Sequence, residues 1–94
     1  MKTKINKKIA WSFEKNLHLK QTRGISFEII EQLIVSGHII DIIRHPNEGK
    51  YGHQKMFILC IDNYVYIVPF VEDDEKIFLK TIIPSRKMTK NYFS

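Results

Sequence analysis

Arg23-Gly24-Ile25-Ser26-Phe27-Glu28-Ile29-Ile30-Glu31-Gln32-Leu33-Ile34-Val35-Ser36-Gly37 holds the signals that decide the fold. Gly24 directly after the cation Arg23 suits the left-handed position that closes a helix, and the Ser26 hydroxyl can cap the next one. Ile25 before that cap and Ile30 four positions after it can pack as a hydrophobic staple, while Glu28 complements the dipole of the first turn. Phe27, Ile30, Leu33 and Ile34 recur at helical spacing and form a buried stripe until Gly37 stops it. The passage therefore joins two helices.

Upstream, Ser12 to Arg23 reads as the first of these helices, amphipathic through Phe13 and Leu17 at i,i+4, with Lys15, Lys20 and Gln21 turned to water. Ile9-Ala10-Trp11 can add an edge strand. Residues 1 to 8 contain six polar or charged side chains against Met1 and Ile5, and read as a flexible basic arm. Downstream of Gly37 the β-branched and aromatic content rises, and strands are expected over Ile39 to Ile43, Lys55 to Ile61, Tyr64 to Val71 and Ile77 to Ile83. Asp62-Asn63 fits a two-residue hairpin turn, because both residue types tolerate positive φ. Glu72-Asp73-Asp74-Glu75 makes the next polar turn. Pro69 cannot donate to a ladder and should mark a bulge or an unpaired strand end. The polar loop from Arg44 to Gln54 is long for a hairpin connection, a length often associated with function. Consecutive hairpins imply an α+β domain: two N-terminal helices on a four-stranded antiparallel sheet, five-stranded if Ile9 to Trp11 joins, then a short basic C-terminal helix or tail.

Ninety-four residues, 44% hydrophobic and 27% charged, fit one globular domain, taken as 9 to 94 after the arm. No apolar run is long enough to span a bilayer and no signal peptide is recognisable, so a cytoplasmic protein without a membrane partner is expected. The lone Cys60 lies in an apolar run and reads as a small buried residue. The four histidines and this cysteine lack zinc-ligand spacing, the acidic turn lacks the spaced ligands of a calcium loop, and no metal or cofactor is expected.

The net charge of +5 conceals a division along the chain. Residues 1 to 23 hold seven Lys or Arg against one Glu, residues 24 to 79 hold four against nine acids, and residues 80 to 94 hold four cations and no acid. If the basic ends meet, they form one patch attractive to RNA or to an acidic protein. The last four cations, Lys80, Arg86, Lys87 and Lys90, gather where a strand must end. That corner can hold a polyanion. Alternation places Phe78 and Ile82 on the same sheet face as Lys80, at the rim of an apolar surface.

Two motifs carry a family resemblance. Trp11-Ser12-Phe13-Glu14-Lys15-Asn16 with Arg23-Gly24-Ile25-Ser26-Phe27-Glu28, and Ile82-Ile83-Pro84-Ser85-Arg86-Lys87-Met88-Thr89-Lys90, resemble the opening and closing segments of the BrnT-like toxins of bacterial type II toxin–antitoxin systems. These belong to the RelE-type ribonuclease superfamily. The chain departs from the family pattern at Ser12, Leu19 and Arg23, and Thr81 replaces a basic residue beside Lys80. Lys50 lies roughly where the family has an arginine leading into the second strand.

The resemblance implies a RelE-like fold and metal-independent cleavage of RNA, mRNA above all, which halts translation. In that chemistry the ribose 2′-hydroxyl attacks the adjacent phosphate. Arg86 is the first candidate for stabilising the developing charge, with Lys87 and Lys80 beside it. His45 and His53, which bracket the long loop, are the candidate general bases. His18 on the first helix is a weaker candidate, and His38 after Gly37 reads as a strand-start residue. Lys20, Arg23, Lys50, Lys90 and Tyr92 are the candidate RNA-binding residues. Tyr92 either stacks on a base or packs back against Met88, and the sequence leaves both open. The implied partners are a cognate antitoxin and RNA, including ribosome-associated mRNA, with a homo-oligomer or a toxin–antitoxin hetero-oligomer as the assembly. The alternative is a non-catalytic RNA- or protein-binding module of the same fold.

Overall fold

Two capped helices laid across one face of a twisted sheet account for the core of the protein. A computed structural model describes residues 7–44, 49 and 54–93. Strand β1 (Lys8–Trp11) leads into α1 (Phe13–Arg23) and α2 (Phe27–Val35), followed by β2 (Asp41–Arg44), β3 (Lys55–Ile61), β4 (Tyr64–Glu72), β5 (Lys76–Leu79), β6 (Ile83–Pro84) and α3 (Arg86–Phe93). The architecture is α+β, as the sequence indicates. Lys8, assigned to the arm by composition, belongs to β1, where its backbone N–H donates to Glu75.

Each helix boundary has a local cause. The Ser12 hydroxyl accepts from Lys15 N–H and caps α1, which Gly24 ends at φ 64°. Ser26 caps α2 by accepting from Ile29 N–H. At its far end Gly37 N–H reaches Ile34 and His38 N–H reaches Leu33, the paired bonds of a Schellman motif, with Gly37 at φ 79°. The rotation of α1 differs from the expected one. Its buried residues are Asn16 and Leu19, whereas Phe13 is 77% and Leu17 46% exposed. Asn16 sets this rotation: Oδ1 accepts from Phe27 N–H at 2.8 Å and Nδ2 donates to Glu28 at 2.9 Å. These bonds fix the amide against the start of α2, so the apolar pair one step round the helix turns outward.

The sheet order is β1-β5-β4-β3-β2, with β6 also pairing β4. Asp62 and Asn63 take φ 51° and 64° in the β3–β4 hairpin. Asp73 Oδ1 accepts from Glu75 and Lys76 N–H groups to close the β4–β5 turn. All pairings are antiparallel except β1 with β5, so the sheet is mixed. The helical pair returns the chain to the end of the sheet at which β1 ended, so β2 runs opposite to β1 and the following hairpins bring β5 alongside β1 in the same direction.

Side-chain alternation separates the two faces. Toward the helices lie Phe57, Leu59, Val68, Phe70, Ile77, Leu79 and Ile9, packed with Leu19, Ile25, Phe27, Ile30 and Ile34. Phe27, Ile30 and Ile34 are fully buried and each contributes about 2 kcal/mol. Phe57 and Phe70 stack at 4.0 Å, and Trp11 stacks on Phe27 at 5.7 Å. The opposite face carries Met56, Ile58, Val65, Ile67, Pro69, Val71 and Phe78. It too is apolar. Cys60 lies on it half-buried rather than in the helix-side core, whereas Ile58 and Val65 on the same face are fully buried.

Pro69 marks a bulge. On one side of it Phe70 pairs with Leu79, on the other Ile67 pairs with Ile83, and the register slips by one residue between them. The Pro69 carbonyl still accepts from Lys80 N–H at 2.8 Å, which shows that its missing N–H falls on this same edge. The extra residue resets the alternation. Ile82 is consequently fully buried on the helix side, and not beside Lys80 as simple alternation suggests.

Candidate nucleic-acid interface

The basic C-terminal segment is a helix anchored to the sheet by its own polar residues. Ser85 N–H donates to Val65 at 2.9 Å, continuing the β6 ladder by one residue. The Ser85 hydroxyl accepts from Met88 N–H, and Thr89 Oγ1 donates to the Ser85 carbonyl while accepting from Val65 N–H at 2.8 Å. Ser85 and Thr89 thus hold α3 against β4 where a ladder partner would otherwise be.

This anchor decides which side of α3 is free. Met88 and Thr89 are half-buried, and Tyr92, one turn beyond Met88, follows them on the docked side while remaining 45% exposed. Arg86, Lys87 and Lys90 fall within about 100° on the outward side, all exposed. Two of them occupy the first turn, where the dipole disfavours cations by roughly 0.3–1 kcal/mol each. No acid lies in that turn.

Lys80 sits in the bulge, exposed, with Nζ 5.8 Å from the centroid of the Phe78 ring. Its backbone is anchored at Pro69 and that of Ser85 at Val65, four residues away on β4, so the two anchor points are about 13 Å apart. The Lys80 side chain leans back over Phe78. Among the described residues, Lys80, Arg86, Lys87 and Lys90 have no salt bridge. Arg86, Lys87 and Lys90 therefore share the outward side of α3, while Lys80 stands apart from them on the outer face of the sheet.

The two basic residues of α1 are engaged differently. Arg23 Nη1 donates to the Ile82 carbonyl at 3.3 Å, and Lys20 Nζ lies 3.5 Å from Glu28. The Glu28 carboxyl is held below its ordinary range, chiefly by the Asn16 amide and further by Lys20. His18 accepts a hydrogen bond from Thr22 through its carbonyl, and His38 Nδ1 lies 2.8 Å from the Ser36 hydroxyl after α2. His45, Lys50 and His53 lie outside the described residues.

Two further lysines join the outer face that Lys80 occupies. The register sets Lys8 directly opposite Lys76, and Ile9 opposite Ile77 in the core, so both lysines point away from the helices. The sequence gives no sign of this pairing, because parallel contacts between distant strands leave no local pattern. The capping role of Asn16 is equally hidden, its only signal in the sequence being an amide on the α2-facing stripe of α1. No family model, curated protein or solved structure matches the chain.

Proposed function

We propose that this protein is a metal-independent endoribonuclease of the toxin type, acting on RNA, mRNA foremost, and so stopping translation in the cytoplasm. The observation that carries the reading is a set of cations without a salt bridge among the described residues, Arg86, Lys87 and Lys90 on the outward side of α3 and Lys80 in the bulge before it, with two of them in a helix turn whose dipole opposes them. Such an arrangement costs stability in the free protein and is relieved by a bound polyanion. The terminal motif that resembles the BrnT-like toxins contributes three of the four.

In the proposed reaction the ribose 2′-oxygen bonds to the adjacent phosphorus, the bond to the 5′-oxygen breaks, and the products are a 2′,3′-cyclic phosphate and a 5′-hydroxyl. Arg86 stabilises the charge gathering on the non-bridging oxygens, for which its planar fork of donors is suited. Lys87 and Lys80 hold the flanking phosphates. His45 and His53 remain the candidates for accepting the 2′-hydroxyl proton. A cognate antitoxin of acidic, amphipathic character would neutralise these cations and cover the outer face of the sheet, where Ile83 is 42% exposed and Phe78 half-buried.

The test is incubation of the purified protein with RNA in a chelator, scoring cyclic-phosphate ends. Binding without such ends would place the non-catalytic module first, and cleavage that requires magnesium would exclude this mechanism.

A further inference from the structure

Lys8 on β1 and Lys76 on β5 are Cα partners in the parallel ladder, so two ammonium groups stand side by side on the outer face. Like charges directly opposite are destabilising in a sheet. Both are exposed, and neither has a salt bridge among the described residues. Asp73 in the adjoining turn attracts Lys76 without forming a salt bridge with it, because Asp73 Oδ1 is committed to the N–H groups of Glu75 and Lys76. Alternation then places Phe78 two residues beyond Lys76 on the same face, half-buried, with Lys80 over its ring. A cation pair, an aromatic ring and another cation succeed one another along β5, leading to the bulge and α3.

The geometry points to a second RNA-contact track along β1 and β5: Lys8 and Lys76 hold phosphates of single-stranded RNA, and Phe78 stacks a base. This rests on the reading of the protein as an RNA-acting enzyme and extends its substrate path beyond the cleavage point. A single strand of nucleic acid offers phosphates and ring faces in alternation, which matches a row of ammonium groups interrupted by an aromatic surface. Lys80 leaves the ring for a phosphate when RNA binds, since a cation–π contact at an exposed site is weak. An acidic peptide would satisfy the lysines but gives Phe78 no planar partner.

Charge reversal separates this role from a structural one. Lys76→Glu gives Lys8 an opposite charge across the ladder, so the thermal midpoint should hold or rise. Anisotropy titrations of the full chain with a labelled single-stranded oligonucleotide at several salt concentrations should show weaker binding, and a salt slope reduced by about 1.4 for the two lost phosphate contacts. Phe78→Leu should weaken binding roughly tenfold with little change in the slope. Lys15→Ala, on α1, should leave the titration unchanged. Binding by Lys76→Glu and Phe78→Leu equal to the parent, with Arg86→Ala impaired, overturns the track while leaving the proposed function standing. A polyglutamate peptide that binds as tightly as the RNA assigns the surface to an acidic protein instead, and a parent that binds no RNA removes both readings.

Discussion

Arg23 Nη1 donates to the carbonyl of Ile82 at 3.3 Å, fastening the end of α1 to the bulge between β5 and β6. The Ile82 side chain is buried on the helix side, put there by the bulge, while Lys80 keeps the outer face that alternation from Phe78 gives it. Arg23 thereby connects the helical pair to the segment that presents the proposed catalytic cations. Its role is positional as well as electrostatic.

Arg23→Ala should destabilise the protein by about 1–2 kcal/mol, the worth of a part-buried hydrogen bond from a charged donor. Chemical denaturation measures the loss. Cleavage should also fall when assayed well below the unfolding transition, because the Ile82 carbonyl no longer has its donor and the bulge can shift. Arg23→Lys should recover stability only in part, and a variant as stable and active as the parent would show the bond to be incidental.

Asn16→Ala should cost more, about 2–3 kcal/mol, since it leaves the N–H of the fully buried Phe27 without its acceptor. Asn16→Asp keeps an acceptor but faces Glu28 with a like charge, and should fall between the two. By contrast, Gly24→Ala should lose about 1 kcal/mol through backbone strain alone, because a Cβ there meets nothing within 4 Å while φ remains 64°. Thermal melts of the three variants rank these effects.

Acid should weaken the fold through three carboxylates. Glu72 is held below its ordinary value by the hydrogen bond from Lys7 at 2.8 Å, then by Lys55 at 3.3 Å. Asp73 is lowered by the N–H groups of Glu75 and Lys76, and Glu28 by Asn16. A folded pKa below the unfolded one gives stability that is complete above the ordinary carboxylate value and is lost as pH falls through the folded value. The thermal midpoint should therefore be flat near neutrality and decline below about pH 4.5. Glu72→Gln should make that decline shallower, and modestly so, because the side chain keeps 30% of its exposure.

Much of this fold is written locally. Ser12, Gly24, Ser26 and Gly37 declare the helix ends, Asp62-Asn63 declares a hairpin, and Pro69 declares an interrupted ladder, because each acts through its own backbone geometry. The rotation of α1 is not local: Phe13 and Leu17 offer an apolar stripe, and the Asn16 bonds across the interhelical turn override it. The slip of one residue after Lys80 is also hidden, so Phe78 is assigned to the lysine's face correctly and Ile82 is not. At the candidate interface, the run of C-terminal cations is legible as composition. Its continuation to Lys8 depends on a parallel pairing between strands more than sixty residues apart, which periodicity cannot express.

The most direct measurement of the central claim is the initial rate of cyclic-phosphate formation by Arg86→Ala against the parent, on one RNA, in a chelator. Arg86 is exposed at the start of α3 and contributes nothing to the core, so the variant should fold and melt at the parent's midpoint or slightly above it, as a charge opposed by the helix dipole is removed. Losing a fixed cation at the developing phosphorane charge should cost about 3 kcal/mol, roughly a hundredfold in rate. Lys87→Ala and Lys80→Ala should each lose less, because neighbouring ammonium groups can partly replace a point charge. A well-folded Arg86→Ala that cleaves as fast as the parent, or a parent whose cleavage stops when magnesium is removed, would contradict the account.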